Sequence, residues 1–162
     1  ALVDAQTIIE KKGSGAHKLV YVGDGNNVCN SLLRVGKIIG LDMTVACPPG
    51  YEPFVSKSEV EYVIEHDPLK AIENADIIYT DVWTSMGREK ETYLRKKIFA
   101  AYQVNTQMLS KAKPDCIFMH CLPAHRGEEV SESVMSSANS VVIDQAENRL
   151  HAQKALMIRL FF

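Results

Sequence analysis

What this chain lacks narrows its identity first. No two of its four cysteines, Cys29, Cys47, Cys116 and Cys121, have the two-residue spacing of a zinc or dithiol redox site. Charge of one sign is missing too: 18 Lys and Arg stand against 20 Asp and Glu, a formal net charge of −2. That balance gives no electrostatic argument for a nucleic-acid partner. No apolar run reaches the roughly 18 residues of a membrane span, and Ala1 to Gly15 has no apolar centre of the kind a secretory leader needs. Nine glycines and six prolines are too few for a collagen-like or low-complexity chain, and a 46% hydrophobic content excludes disorder. The expectation is one cytosolic domain, with or without appendages, whose thiols are reduced.

What is present alternates between two periods. Leu2 to Lys12 reads as a helix with Leu2, Ala5, Ile8 and Ile9 on one face, ended by Gly13-Ser14-Gly15. Lys18 to Val22 is a short apolar strand, Gly23 to Asn27 a turn, and Val28 to Ile39 a helix stopped by Gly40. Leu41 to Cys47 is a second strand. Pro68 to Asn74 is a helix with Asp67 as its cap, Asp76 to Thr80 a strand, and helix resumes from Arg88 and again from Asn105 to Ala112. Asp115 to His120 and Ser140 to Ile143 are the remaining strands, and Ala146 to Phe162 is the last helix. Short apolar strands alternating with helices predict an α/β, Rossmann-like three-layer sandwich. Its parallel sheet should have four to five strands, with helices on both faces.

In such sheets ligands bind beyond the carboxyl ends of the strands. The first end, Gly23-Asp24-Gly25-Asn26-Asn27-Val28, begins like the dinucleotide fingerprint. Val28 replaces its third glycine, and no acid ends the second strand to hold a ribose, so a nucleotide is disfavoured. The amides Asn26 and Asn27 at a helix N-terminus suit a carboxylate better. The next end, Asp81-Val82-Trp83-Thr84-Ser85-Met86-Gly87, could hold an ammonium on Asp81 and close near Gly87; Asp81 or Ser85 could instead cap the next helix. At His120-Cys121-Leu122 the adjacent His and Cys point to opposite sides of an extended segment, which disfavours a Cys–His dyad. Arg149 in the first turn of the last helix opposes the helix dipole. It is therefore either a ligand-binding group or the partner of an acid such as Glu147.

Four segments, GDGNN at 23–27, DVWTSMG at 81–87, HCLPAHRGEEV at 120–130 and AENRLHAQKALM at 146–157, together resemble the ornithine transcarbamylase (ornithine carbamoyltransferase) family. The resemblance covers only that family's second half. The amino-terminal domain, with its Ser-Thr-Arg-Thr-Arg loop for carbamoyl phosphate, has no counterpart here. The implied plan is an interdomain helix over 1–14, an ornithine-binding domain over 15–145, and a carboxyl-terminal helix over 146–162 that packs on the other domain.

The resemblance also implies roles. Asn27 binds the ornithine carboxylate. Asp81 and Ser85, with the backbone at Met86, hold the α-ammonium, and Cys121 faces the reacting δ-amine. His120, Cys121, Leu122 and Arg149 contribute to the carbamoyl phosphate pocket, where His120 and Arg149 are donors to the carbamoyl oxygen. Asp144-Gln145 stands where many relatives have Asp-Glu. The implied reaction gives citrulline and phosphate, for arginine biosynthesis or a urea cycle, without metal or organic cofactor. The parent is a homotrimer or multiple of trimers in the cytoplasm, or in the mitochondrial matrix of a eukaryote, and binds neither nucleic acid nor membrane. The chain alone is expected to be inactive. A transcarbamylase for putrescine or acetylated ornithine, or a non-catalytic amino-acid-binding module, are the alternatives.

Overall fold

The computed structural model describes residues 1–84 and 89–162. Five parallel strands, β1 (Lys18–Val22), β2 (Asp42–Ala46), β3 (Val63–Glu65), β4 (Ile77–Thr80) and β5 (Ile117–His120), form one sheet in the order β3-β2-β1-β4-β5. The central strands are apolar at nearly every position because both faces are covered. Side chains alternate across the sheet. Leu19 and Tyr21 face one layer, with Ile8 of α1 (Leu2–Lys12) and Cys29, Leu32 and Leu33 of α2 (Asn27–Ile39). Val20 and Val22 face the other. There Ile72 of α3 (Pro68–Ile72), Phe99 of α4 (Thr92–Phe99), Met108 of α5 (Thr106–Leu109) and Val134 of α6 (Glu132–Met135) complete a second core. The three-layer α/β expectation is met, with five strands.

The order reverses between β1 and β4, which makes the crevice beyond their carboxyl ends the topological switch point. Register makes the strand ends level. Val22 lies opposite Ala46 and Thr80, and Thr80 lies opposite His120. Gly23, Asp81 and Cys121 therefore leave the sheet side by side.

Two elements differ from expectation. Ser140 to Ile143 is not a strand: Ser140 touches Phe118 in a single isolated bridge, and α7 (Val142–Phe161) starts two residues later. The residues α7 buries, Val142, Gln145, Asn148 and Ala152, are half polar, so an apolar stripe could not reveal where the helix starts. The fifth strand is instead β3, a three-residue edge strand whose first residue is exposed and whose other two are half-buried. As expected, Asp67 caps α3, accepting from the amides of Leu69 (3.0 Å) and Lys70 (3.3 Å).

Candidate functional site

The turn after β1 is built for close packing. Gly23 has φ +138°, and Gly25 donates its amide to the Tyr51 carbonyl at 2.8 Å. A Cβ on Gly25 would stand 2.3 Å from Pro53 N, so the 51–53 backbone packs directly against this turn. Asn26 is the N-cap of α2; its Oδ1 accepts from the amides of Val28 (2.9 Å) and Cys29 (3.1 Å). Asn27 is exposed in the first turn of α2.

Asp81, 7% exposed, is the hub of the strand ends. Its Oδ1 accepts from the Val82 amide (2.8 Å) and from the Cys121 thiol (2.8 Å), and its Oδ2 accepts from Asn26 Nδ2 (2.9 Å). Burial, and then the neighbouring Asp81 charge, push the Cys121 thiol well above its ordinary range. Cys121 is therefore an S–H donor at neutral pH, not a thiolate nucleophile. Ser85 and Met86 lie outside the described residues.

His120 points the other way, as the alternation of an extended segment requires. Its ring is fully buried. Nδ1 accepts from the Leu122 amide at 2.8 Å, so the ring proton is on Nε2, which faces Glu129 Oε1 at 3.1 Å. Both ring nitrogens are thus engaged inside the domain, and neither offers an N–H to the cavity as a carbamoyl-oxygen donor must. Arg149 needs a different correction. It lies in the second turn of α7, not near the helix start, so the dipole argument for it falls. It is exposed, and among the described residues it makes no ion pair, with Glu147 or any other acid. With His120, Cys121, Leu122, Asp4 and Gln145 it lines a cavity of about 300 Å³, so four residues expected to act together do border one space. Leu122 takes a left-handed φ of +54° at the turn into Pro123, a conformation that β5 and the Glu129 network hold in place.

Two connections were invisible in the sequence. Arg95 of α4, 1% exposed, bonds Asp24 Oδ2 (2.7 Å), Glu91 (3.0 Å) and the Trp83 carbonyl (2.7 Å), tying the β1 turn to the loop after β4. Gln145 bonds Asp4 (2.7 Å) and the Tyr79 hydroxyl (3.3 Å) while accepting from the His120 amide (3.0 Å), so α1, α7 and β5 meet behind the cavity. His125, Glu128 and Glu129 bring ligand atoms within 4.8 Å of one another. Glu128, however, pairs with Lys96 at 2.6 Å, and Glu129 holds His120 and the His125 amide. No helix among the described residues is long and apolar enough to cross a membrane.

Residues 16–160 match the family model described as Aspartate/ornithine carbamoyltransferase, Asp/Orn binding domain. The ornithine carbamoyltransferase of Thermococcus kodakarensis is 55% identical over 97% of this chain and 53% of its own length. The solved ornithine carbamoyltransferase of Pyrococcus furiosus superposes with a TM-score of 0.87 at 54% identity, over 96% of this chain and 53% of that one. The enzyme of that name from Thermus thermophilus gives 0.90 at 42% identity, over 99% and 54%. This chain spans about half the length of the relatives it matches.

Proposed function

The chain belongs to the aspartate/ornithine carbamoyltransferase family as its Asp/Orn-binding domain, and we propose that it binds ornithine and supplies one half of a site that makes citrulline and phosphate from ornithine and carbamoyl phosphate. The observation that carries this reading is Asp81, a buried carboxylate at the switch point in contact with a neutral thiol. A carboxylate there fits a substrate with ammonium groups and opposes one with an extra side-chain acid, which favours ornithine over aspartate. Putrescine has no α-carboxylate for Asn27, and acetylated ornithine has no α-ammonium for Asp81.

In the proposed reaction the δ-amine nitrogen bonds to the carbamoyl carbon, the carbon–oxygen bond to phosphate breaks, and phosphate departs with the electron pair. A free alkyl ammonium, with a pKa of about 10.4, cannot attack, so the site must favour the neutral amine. Burial beside the neutral Cys121 thiol does this, while the Asp81 charge is kept for the α-ammonium. Negative charge developing on the carbamoyl oxygen needs donors. Arg149, exposed at the cavity edge and without an ion pair among the described residues, fits that task, whereas His120 acts from behind, holding the backbone of Leu122. The departing phosphate is basic enough to take up the amine proton.

The remainder of the carbamoyl phosphate pocket belongs to a further domain. In this reading 1–14 and 146–162 are the helices that join and pack against it, around the ornithine-binding body at 15–145. Ser85 and Met86 assist Asp81. A cytoplasmic trimer is the expected setting.

Calorimetric titration with ornithine, putrescine and NAD tests the reading; ornithine alone should bind. Asp81→Asn should weaken ornithine by about 2 kcal/mol or more, since a charged hydrogen bond is lost. Unchanged ornithine affinity in that variant removes Asp81 from the site.

A further inference from the structure

Asn26 occupies the N-cap of α2, where Asn, Asp and Ser serve almost equally well. The structure uses more of it than a cap requires. With Oδ1 fixed by two helix amides, the amide plane is set, and Nδ2 points at Asp81 Oδ2, 2.9 Å away. The Tyr21 hydroxyl stands 3.4 Å from the same Oδ1 and steadies the plane from β1. The sequence suggested that amides here would suit a carboxylate. Asn26 does hold one, but it belongs to the chain itself.

We propose that Asn26 is a positioning residue of the ornithine site: the α2 cap aims its amide so that the Asp81 carboxylate is held for the substrate ammonium. The proposal rests on the ornithine reading given above. Asp81 Oδ1 already accepts from the Val82 amide and the Cys121 thiol, so Oδ2, with one donor, is the oxygen with more capacity left for an ammonium. Without Nδ2 it would have no partner among the described residues, and the carboxylate would be held through Oδ1 alone. A serine cap has no donor that reaches it, and an aspartate cap would oppose it with like charge. Of the residues that cap well, only asparagine offers an acceptor to the helix and a donor to Asp81. Asn26 thereby links two strand ends that are 55 residues apart in the chain.

The test uses the full chain as wild type, Asn26→Ser, Asp81→Asn and the double variant. Asn26→Ser keeps the cap and should melt close to wild type; Asn26→Thr, which also caps, replaces it in every arm if it does not. L-ornithine and 5-aminovalerate, the same molecule without the α-ammonium, are titrated into each. Asn26→Ser should weaken ornithine about tenfold and leave 5-aminovalerate within about twofold, and it should add nothing once Asp81 is replaced. Equal losses for both ligands, or additive losses in the double variant, would reduce Asn26 to a cap. If the wild-type chain binds neither ligand, the ornithine reading falls, and alkylation of Cys121, the one cysteine of four that is not buried, decides the proposal. Asn26→Ser must then change the iodoacetamide rate about threefold or more with Asp81 present and leave it unchanged in Asp81→Asn. An equal effect in both backgrounds, or none, overturns the link.

Discussion

Gly25 carries no side chain, and the turn after β1 depends on that. The nearest atoms to a Cβ there would be Pro53 N at 2.3 Å, Glu52 C at 2.4 Å and Glu52 O at 2.7 Å, all of them backbone. A flexible side chain could yield to a methyl group, but these atoms can move only with the 51–53 segment. Gly25→Ala should therefore cost about 3 kcal/mol or more, at the upper end of overpacking penalties, and urea unfolding should show it. The same turn carries Asp24, Asn26 and Asn27, so ornithine binding should fall with stability. Gly40, with φ +77° and open space around a Cβ, is a contrasting case, since only its left-handed backbone asks for glycine.

At the scale of elements, α1 and α7 meet through polar groups. Asn148 donates to Thr7 Oγ1 (3.0 Å) and Glu10 Oε2 (2.7 Å) and accepts from Gln6 (3.3 Å), while Gln145 reaches Asp4. Such a seam specifies alignment, because its donors and acceptors pair in one register only. Asn148→Ala should destabilise the chain by about 1 kcal/mol or more, because hydrogen bonds of a buried amide are lost and the buried Thr7 hydroxyl gives up a donor. Amide exchange in α7 should rise more than exchange in β1. Exchange rising equally in both would show that the helix has no local unfolding of its own.

Two consequences concern the whole molecule. Burial raises the Cys47 and Cys116 thiols to about 12, and it pushes Cys29 and Cys121 up as well. In the unfolded chain a thiol ionises near 8.5. Above that pH the unfolded state loses protons that the folded state retains, so stability falls as pH rises. Urea midpoints should be flat from pH 6 to about 8 and then decline toward pH 10. A Cys116→Ala variant should decline less steeply.

The second consequence concerns an uncovered face. Leu2 and Ile9 of α1, Ile38 of α2, and Leu150, Leu156, Met157, Ile158, Leu160, Phe161 and Phe162 at the end of α7 are all exposed, and an apolar groove of about 640 Å³ runs between α1 and α7. Large exposed apolar patches of this kind usually mark an interaction surface. The chain by itself should self-associate at micromolar concentration in sedimentation runs, and a version ending at Ala152 should not. A monomeric full chain that binds no hydrophobic dye would contradict this.

The sequence alone determined whatever depends on near neighbours. β1, β2, β4 and β5 were legible because strands buried on both faces are continuous apolar runs, and Asp67 was legible because a cap acts over three residues. Asp81 and Cys121 could be named because they follow such strands. β3 was hidden because three residues, Val63 to Glu65, are too few to show a period, and the start of α7 because its buried face is half polar. Only the tertiary structure decided the pairings. Asn26 to Asp81, Arg95 to Asp24 and Gln145 to Asp4 join residues 55, 71 and 141 positions apart. No periodicity encodes such contacts; strand order and register create them, by bringing β1, β4 and β5 to one edge. Register also turned His120 inward and left Arg149 at the cavity, a choice that residue type alone does not make.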